Sequence, residues 1–165
     1  MSDAIGYVTL EQANEYIATH YISTDNLRVS WEALIDADKS ALLLKSFDTI
    51  ELLPYSGRKT DPNQETAFPR YPMQEVPKQV RYAQIENALT MSDTSATEEA
   101  EHYGRLWQFG VQSYSIGNLS ERISEGAWSS GSTTSVVSGL VSTAATRLLK
   151  PFMLGSYRIV GGRCK

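Results

Sequence analysis

One cysteine, two histidines and no acidic residue beyond Glu125 narrow the chemistry of this 165-residue chain before any pattern is sought. Cys164 alone excludes an intramolecular disulfide, and a reducing cytoplasm is the default compartment. With His20 and His102 the only imidazoles, a structural zinc site of the usual Cys/His composition cannot be assembled within one chain, and both read as surface or helix-end residues. Neither a Gly-x-Ser-x-Gly elbow nor a His-Glu-x-x-His pair occurs. "SGRKT", from Ser56 to Thr60, has only the look of a phosphate-binding loop: Arg58 separates the glycine from the lysine, and a helical pattern precedes it. Apolar residues nowhere run long enough to cross a bilayer, and "MSDAIGYVTL" lacks the basic and apolar regions of a signal peptide. The expectation is a soluble protein not secreted by that route, in which the Asn118-Leu119-Ser120 sequon is chance. The carboxylate pairs Asp36/Asp38 and Glu98/Glu99 read as helix caps and solvated faces. No catalytic, cofactor or metal set emerges, which shifts weight from an enzyme toward binding or assembly.

What is present suffices for one core. Hydrophobic residues make up 41% of the chain and charged ones 21%, with nine tyrosines and three tryptophans, a composition unlike that of disordered chains. Charge is unevenly placed. All 19 acids lie at or before Glu125 with 10 of the 15 basic residues, a balance of −9; from Gly126 onward Arg147, Lys150, Arg158, Arg163 and Lys165 give +5. Such an asymmetry suggests an end that meets an acidic surface, whether protein or nucleic acid, although five charges over forty residues also fit a tail that merely lacks carboxylates.

Thr9-Leu10-Glu11-Gln12 reads as a capping box, and Leu10, Ala13 and Ile17 carry a first helix to about His20. A polar bridge leads to Trp31; Asp36 or Asp38 can then cap a core helix, "SALLLKSFDTIELL", that Pro54 stops. Pro77 occupies the first position of a third helix running through Val80, Ala83, Ile85 and Leu89 to near Ser92. From Asp93 to Glu101 an acidic, small-residue run can continue as helix. Alternation around Val111, Tyr114, Ile116 and Leu119 predicts an extended, hairpin-like pair near 105–124. "GAWSSGSTTSVVSG" (126–139) is a flexible linker, Leu140–Leu154 resumes helical spacing with Pro151 able to kink it, and "SYRIV" ends as a short strand. The expected architecture is mainly α: a small helical bundle over 1–125 with a long Pro-rich inter-helix loop and a minor β-hairpin-like segment, the linker, and a C-terminal helix and tail over 140–165.

Three of the six prolines lie in "YSGRKTDPNQETAFPRYPM" (Tyr55–Met73), and Pro54 and Pro77 flank it. Arg58, Lys59, Arg70, Lys78 and Arg81, interleaved with Tyr55, Phe68, Tyr71 and Tyr82, have the ingredients for stacking bases and neutralising phosphates. Against that, Asp61, Glu65 and Glu75 lie among them and the domain is acidic overall. The alternative is a rigid loop whose arginines bind its own carbonyls or neighbouring carboxylates.

The run Leu53-Pro54-Tyr55-Ser56-Gly57-Arg58, then Asp61-Pro62, Gln64, Ala67-Phe68-Pro69-Arg70, Val76-Pro77 and Val80-Arg81-Tyr82-Ala83-Gln84, resembles a family of tailed-bacteriophage proteins. That family is also labelled DnaT-like single-stranded-DNA-binding protein, and its members are similar in arrangement to head-tail connector, or neck adaptor, proteins. "GYVTLEQANEYIA" and, more loosely, Ala144 to Phe152 and "YRIVGG" extend the resemblance over nearly the whole chain; Tyr55 and Phe68 stand where tryptophans are expected. The resemblance implies a non-catalytic virion protein of the neck, assembled in the host cytoplasm, that forms a homo-oligomeric ring (a dodecamer) between the portal protein and the next neck or tail-completion protein. DNA would pass through the ring without sequence-specific binding. A single-stranded-DNA-binding replication accessory is the competing reading. On the connector reading Arg58, Arg70, Asp61, Tyr55 and Phe68 anchor the loop or form its interface, while Arg147, Lys150, Phe152, Tyr157, Arg158, Ile159 and Arg163 are candidates for contact with the portal or a neighbour.

Overall fold

The computed structural model describes residues 4–94, 98, 113–116, 119–122 and 140–154. Most of the acidic run to Glu101, the 126–139 linker and the terminal "SYRIV" segment, with Tyr157, Arg158, Ile159 and Arg163, lie outside the described residues.

Helix α1 (Leu10–His20) starts at a capping box: Gln12 N–H donates to Thr9 Oγ1 (3.2 Å) and Thr9 N–H to Gln12 Oε1 (3.1 Å). A short α2 (Asn26–Glu32), capped by Asp25 through Leu27 N–H (2.9 Å), occupies what the sequence presents as a polar bridge. Its purpose is visible at Trp31, which is 1% exposed and donates from its indole N–H to Asn14 Oδ1 (2.9 Å). In α3 (Asp36–Glu51) the N-cap is Ile35, not an aspartate. The helix begins one residue earlier than an Asp36 cap requires, so Asp36 and Asp38 fall inside the first turn, where carboxylates still favour the helix dipole. Helix α4 (Lys78–Met91) likewise takes Pro77 as its N-cap rather than its first residue; the Pro77 carbonyl accepts from Val80 and Arg81 N–H.

Strands β1 (Ser113–Ile116) and β2 (Leu119–Arg122) pair antiparallel, Ser113 opposite Arg122 and Ile116 opposite Leu119, within the stretch where side chains alternate. Helix α5 (Thr143–Leu149), capped by Ser142, runs into a single 3₁₀ turn, Lys150–Phe152, at Pro151. Among the described residues the protein is thus a small, mainly helical bundle.

Helix α4 is the axis. Buried from Ala83 through Leu89, it has no solvent stripe over its middle, as expected of a helix covered on most sides. One cluster joins Val80 and Ala83 to Ile50, Phe68, Leu140, Ala145 and Leu149; the other joins Ile85, Ala88 and Leu89 to Val8, Ala13, Ile17, Trp31 and Leu43. The polar residues between them are satisfied. Gln84 donates to Ile5 O (2.7 Å) and Leu43 O (3.0 Å) and accepts from Tyr7 N–H (3.0 Å), and Glu86 accepts from the hydroxyls of Tyr16 and Tyr21 (2.6 Å each).

Candidate functional site

The segment between α3 and α4 is built from its backbone outward. Its ends are anchored by burial: Leu53, Tyr55, Ala67 and Phe68 are all in the core. Phe68 packs edge-on against Tyr55 (4.7 Å), Tyr7 (6.2 Å) and Phe152 (5.5 Å). Residues 54–56 then run beside the turn after α5, with Ser56 N–H donating to Phe152 O (2.8 Å) and Leu154 N–H to Pro54 O (3.0 Å). Gly57 turns the chain at φ +78°, a conformation that disfavours a side chain. Beyond it the loop folds on itself: Tyr71 N–H donates to Arg58 O (2.9 Å) and Thr60 N–H to Pro69 O (3.2 Å), while the Phe68–Pro69 and Tyr71–Pro72 peptides are cis.

Arg70 is the keystone of this fold-back. Its guanidinium donates to the carbonyls of Ser56 (2.8 Å), Ala67 (3.3 Å), Tyr55 (3.4 Å) and Gly57, and lies 5.9 Å from the Tyr55 ring. A planar fork suits four acceptors spread over two strands of chain. Lys59 is used in the same way, on Gln64 O (3.0 Å) and Glu65 O (3.1 Å), and Asp61 accepts from Asn63 N–H (2.9 Å). Arg58 differs. Exposed, its guanidinium lies over the ring of Tyr71 (4.6 Å) and, among the described residues, makes no side-chain hydrogen bond.

Tyr7 ties this loop to the bundle. Its hydroxyl donates to Glu51 and accepts from Phe68 N–H (3.1 Å), and the second oxygen of Glu51 accepts from Ala67 N–H (2.7 Å). Burial, and then the bond to Glu51, push the Tyr7 hydroxyl well above the ordinary tyrosine range.

Of the C-terminal candidates, Arg147 and Lys150 are exposed and Phe152 is half-buried against the core. Tyr55 and Phe68, at 7% and 0% exposure, offer no face to a base. Tyr71, 58% exposed, is the one loop aromatic of that set at the surface.

The remaining residues of the basic and aromatic set sit elsewhere. Lys78, Arg81 and Tyr82 are on the first turns of α4, where they meet Gln12, Glu15, Tyr16, Thr19 and His20 of α1 across a cleft of about 390 Å³. Tyr16 stacks on His20 (4.0 Å) and leans on Tyr82 (4.5 Å), and Lys78 stands over Tyr82 (5.1 Å). Burial, and then the bond to Glu86, push the Tyr16 hydroxyl up. Arg81 Nε is shielded from solvent and has no hydrogen-bond partner among the described residues. Reasoning along the chain groups Lys78 and Arg81 with the proline-rich loop; the fold groups them with α1. The recoverable signal was the polar edge of α1, where Gln12, Tyr16 and His20 recur at four-residue spacing.

Among the described residues no His, Cys, Asp and Glu group could hold a metal ion, and no helix is long and apolar enough to cross a membrane. A family model described as "Putative DnaT-like ssDNA binding protein" matches residues 1–160. No curated protein and no solved structure matches the chain.

Proposed function

Starting from the chain's membership of the DnaT-like ssDNA binding protein family, we propose that it acts as a non-catalytic assembly protein: a head-tail connector of a tailed phage. Copies would form a ring between the portal protein and the tail, in the neck of the virion, after assembly in the host cytoplasm. The observation that carries this reading is the use of Arg70. A loop whose most versatile donor is turned inward onto four of its own carbonyls is braced as a shape for docking. A loop for gripping phosphates would leave that donor facing out. Lys59 supports the same reading, since it too is turned onto backbone carbonyls. Around the loop, Tyr71, Leu52 and Leu154 are exposed at 58%, 85% and 66%, apolar surface suited to a protein partner. The excess of acids before residue 126 suits a channel through which DNA slides without sticking.

One observation favours the second reading, a single-stranded-DNA-binding accessory: Lys78 and Arg81 stand beside Tyr16 and Tyr82 in one cleft. Fluorescence anisotropy of a labelled oligothymidine across a salt series separates the two. The connector predicts weak binding with little salt dependence; tight binding with a steep salt slope would favour the accessory.

A further inference from the structure

We propose that the cleft between α1 and α4 is the socket of a head-to-tail contact between copies of this chain, filled by the outer face of α3 of the neighbouring copy. In that contact Asp48 enters opposite Lys78 and Arg81. The inference rests on the ring reading and names the surfaces through which the ring closes.

The socket carries charge that the fold leaves unanswered. Among the described residues neither Lys78 nor Arg81 is in an ion pair, and Arg81 Nε lacks any acceptor. Its titratable groups are Glu15, Tyr16, His20, Lys78, Arg81 and Tyr82, and Glu86 behind Tyr16 is already engaged by two tyrosine hydroxyls. The rings are engaged with one another: Tyr16 lies against both His20 and Tyr82, and Lys78 covers Tyr82. A base would have to displace these partners, whereas a carboxylate needs only the two cations, and an extended polyanion would also meet Glu15.

A matching surface exists on the same chain. Along α3, Ala37, Ala41, Leu44 and Asp48 follow at three- or four-residue steps and all are exposed, and Leu52, just past the helix, continues the line. Leu44 and Leu52 are 51% and 85% exposed, and Asp48 has no ion-pair partner among the described residues. Lys45, also exposed, stands beside Asp48. The charges correspond in both signs: Asp48 answers Lys78 and Arg81, and Lys45 answers Glu15 on the socket's rim.

The two surfaces lie on different sides of α4. Gln84 and Asn87 face α3 through bonds to Leu43 O and Ser46 Oγ, whereas Lys78, Arg81, Tyr82 and Ile85 line the cleft. Two unlike patches make a heterologous contact, the type that propagates from copy to copy and closes into rings.

The test is sedimentation of the full chain at low salt over rising concentration, using the wild type, Lys78→Glu/Arg81→Glu and Asp48→Lys, each checked for an unchanged circular dichroism spectrum. Wild-type average mass should rise with concentration, and each variant should associate about tenfold or more weakly. Mixing the two variants should restore association beyond the dimer, because the intact α3 face of one fits the intact socket of the other and the two reversed patches are again opposite in charge. Variants that associate as the wild type does, or a wild type whose mass never rises, would overturn the proposal. So would oligothymidine binding that Lys78→Glu/Arg81→Glu abolishes, which would make the cleft a nucleic-acid site. The connector reading is judged separately, by the presence of the wild-type chain in virus particles.

Discussion

Asn87 and Ser142, 55 residues apart, are joined by a hydrogen bond inside the core: Asn87 Oδ1 accepts Ser142 N–H (3.3 Å) and, beside it, Val141 N–H (3.0 Å). The same amide donates to Ser46 Oγ (3.3 Å), whose hydroxyl donates to Gln84 O (2.8 Å). One fully buried side chain on α4 thereby sets both the approach of α3 and the point at which the C-terminal segment enters the bundle. Leu140, Ala145 and Leu149 complete the docking by burial, so α5 belongs to the core that α4 organises.

Replacing Asn87 by leucine keeps the number of side-chain heavy atoms and strands two N–H groups, the buried one of Ser142 and the part-buried one of Val141. The expected loss is about 1–3 kcal/mol for each stranded group, read as a lower midpoint in urea. Hydrogen exchange should accelerate first at Val141 and Ser142. An unchanged midpoint would show that the amide does not hold this segment.

Arg70→Ala should loosen the loop while leaving the helices in place. The cost to global stability is about 1–3 kcal/mol, and protease cleavage should appear between residues 57 and 73. Arg70→Lys should behave like the alanine variant, since a single ammonium cannot serve four separated carbonyls. A lysine variant as resistant as the wild type would refute the keystone role.

Gly6 takes φ +69°, and a Cβ there would run into the ring of Phe47, which itself packs edge-on against Tyr7 at 5.1 Å. Gly6→Ala combines a left-handed backbone with overpacking and should cost about 2–4 kcal/mol in thermal unfolding. Gly57 takes a similar φ, but a Cβ there would meet nothing closer than Tyr71 O at 3.8 Å, so Gly57→Ala should cost only the backbone part, about 1–2 kcal/mol. Equal losses at the two sites would contradict the account.

Alkaline pH should unfold the protein through its buried tyrosines. Burial first of all holds Tyr7, Tyr16, Tyr21 and Tyr55 protonated in the folded state above the ordinary value of 10.0. The folded state therefore binds more protons than the unfolded one once pH passes 10.0; their contribution is complete below that pH and falls as pH rises beyond it. Tyrosinate absorbance should rise together with the loss of circular dichroism, and Tyr16→Phe should make the decline shallower. Tyrosines that ionise freely at 10.0 in a protein still folded would contradict this.

Much of the helical frame was legible because its signals are local. The Thr9/Gln12 box, the stop at Pro54 and the start at Pro77 each act within one turn of chain. Helix α2 was not legible, because its seven residues are mostly polar and a single tryptophan carries its burial. The site was less legible for a different reason. Sequence marks Arg70 as a basic residue among prolines, but whether its fork faces inward or outward depends on where Tyr55, Ser56 and Gly57 return in space. In the same way Lys78 and Arg81 are read beside the loop they follow, although Tyr16 and His20, some sixty residues earlier, complete their cleft.

The connector claim meets its most direct test in quantitative mass spectrometry of purified particles of the phage that, on the proposed reading, encodes the chain, counting its copies against those of the portal protein. Near-equal copy numbers are the predicted result. Absence from mature particles would contradict the connector and leave DNA binding as the reading to pursue.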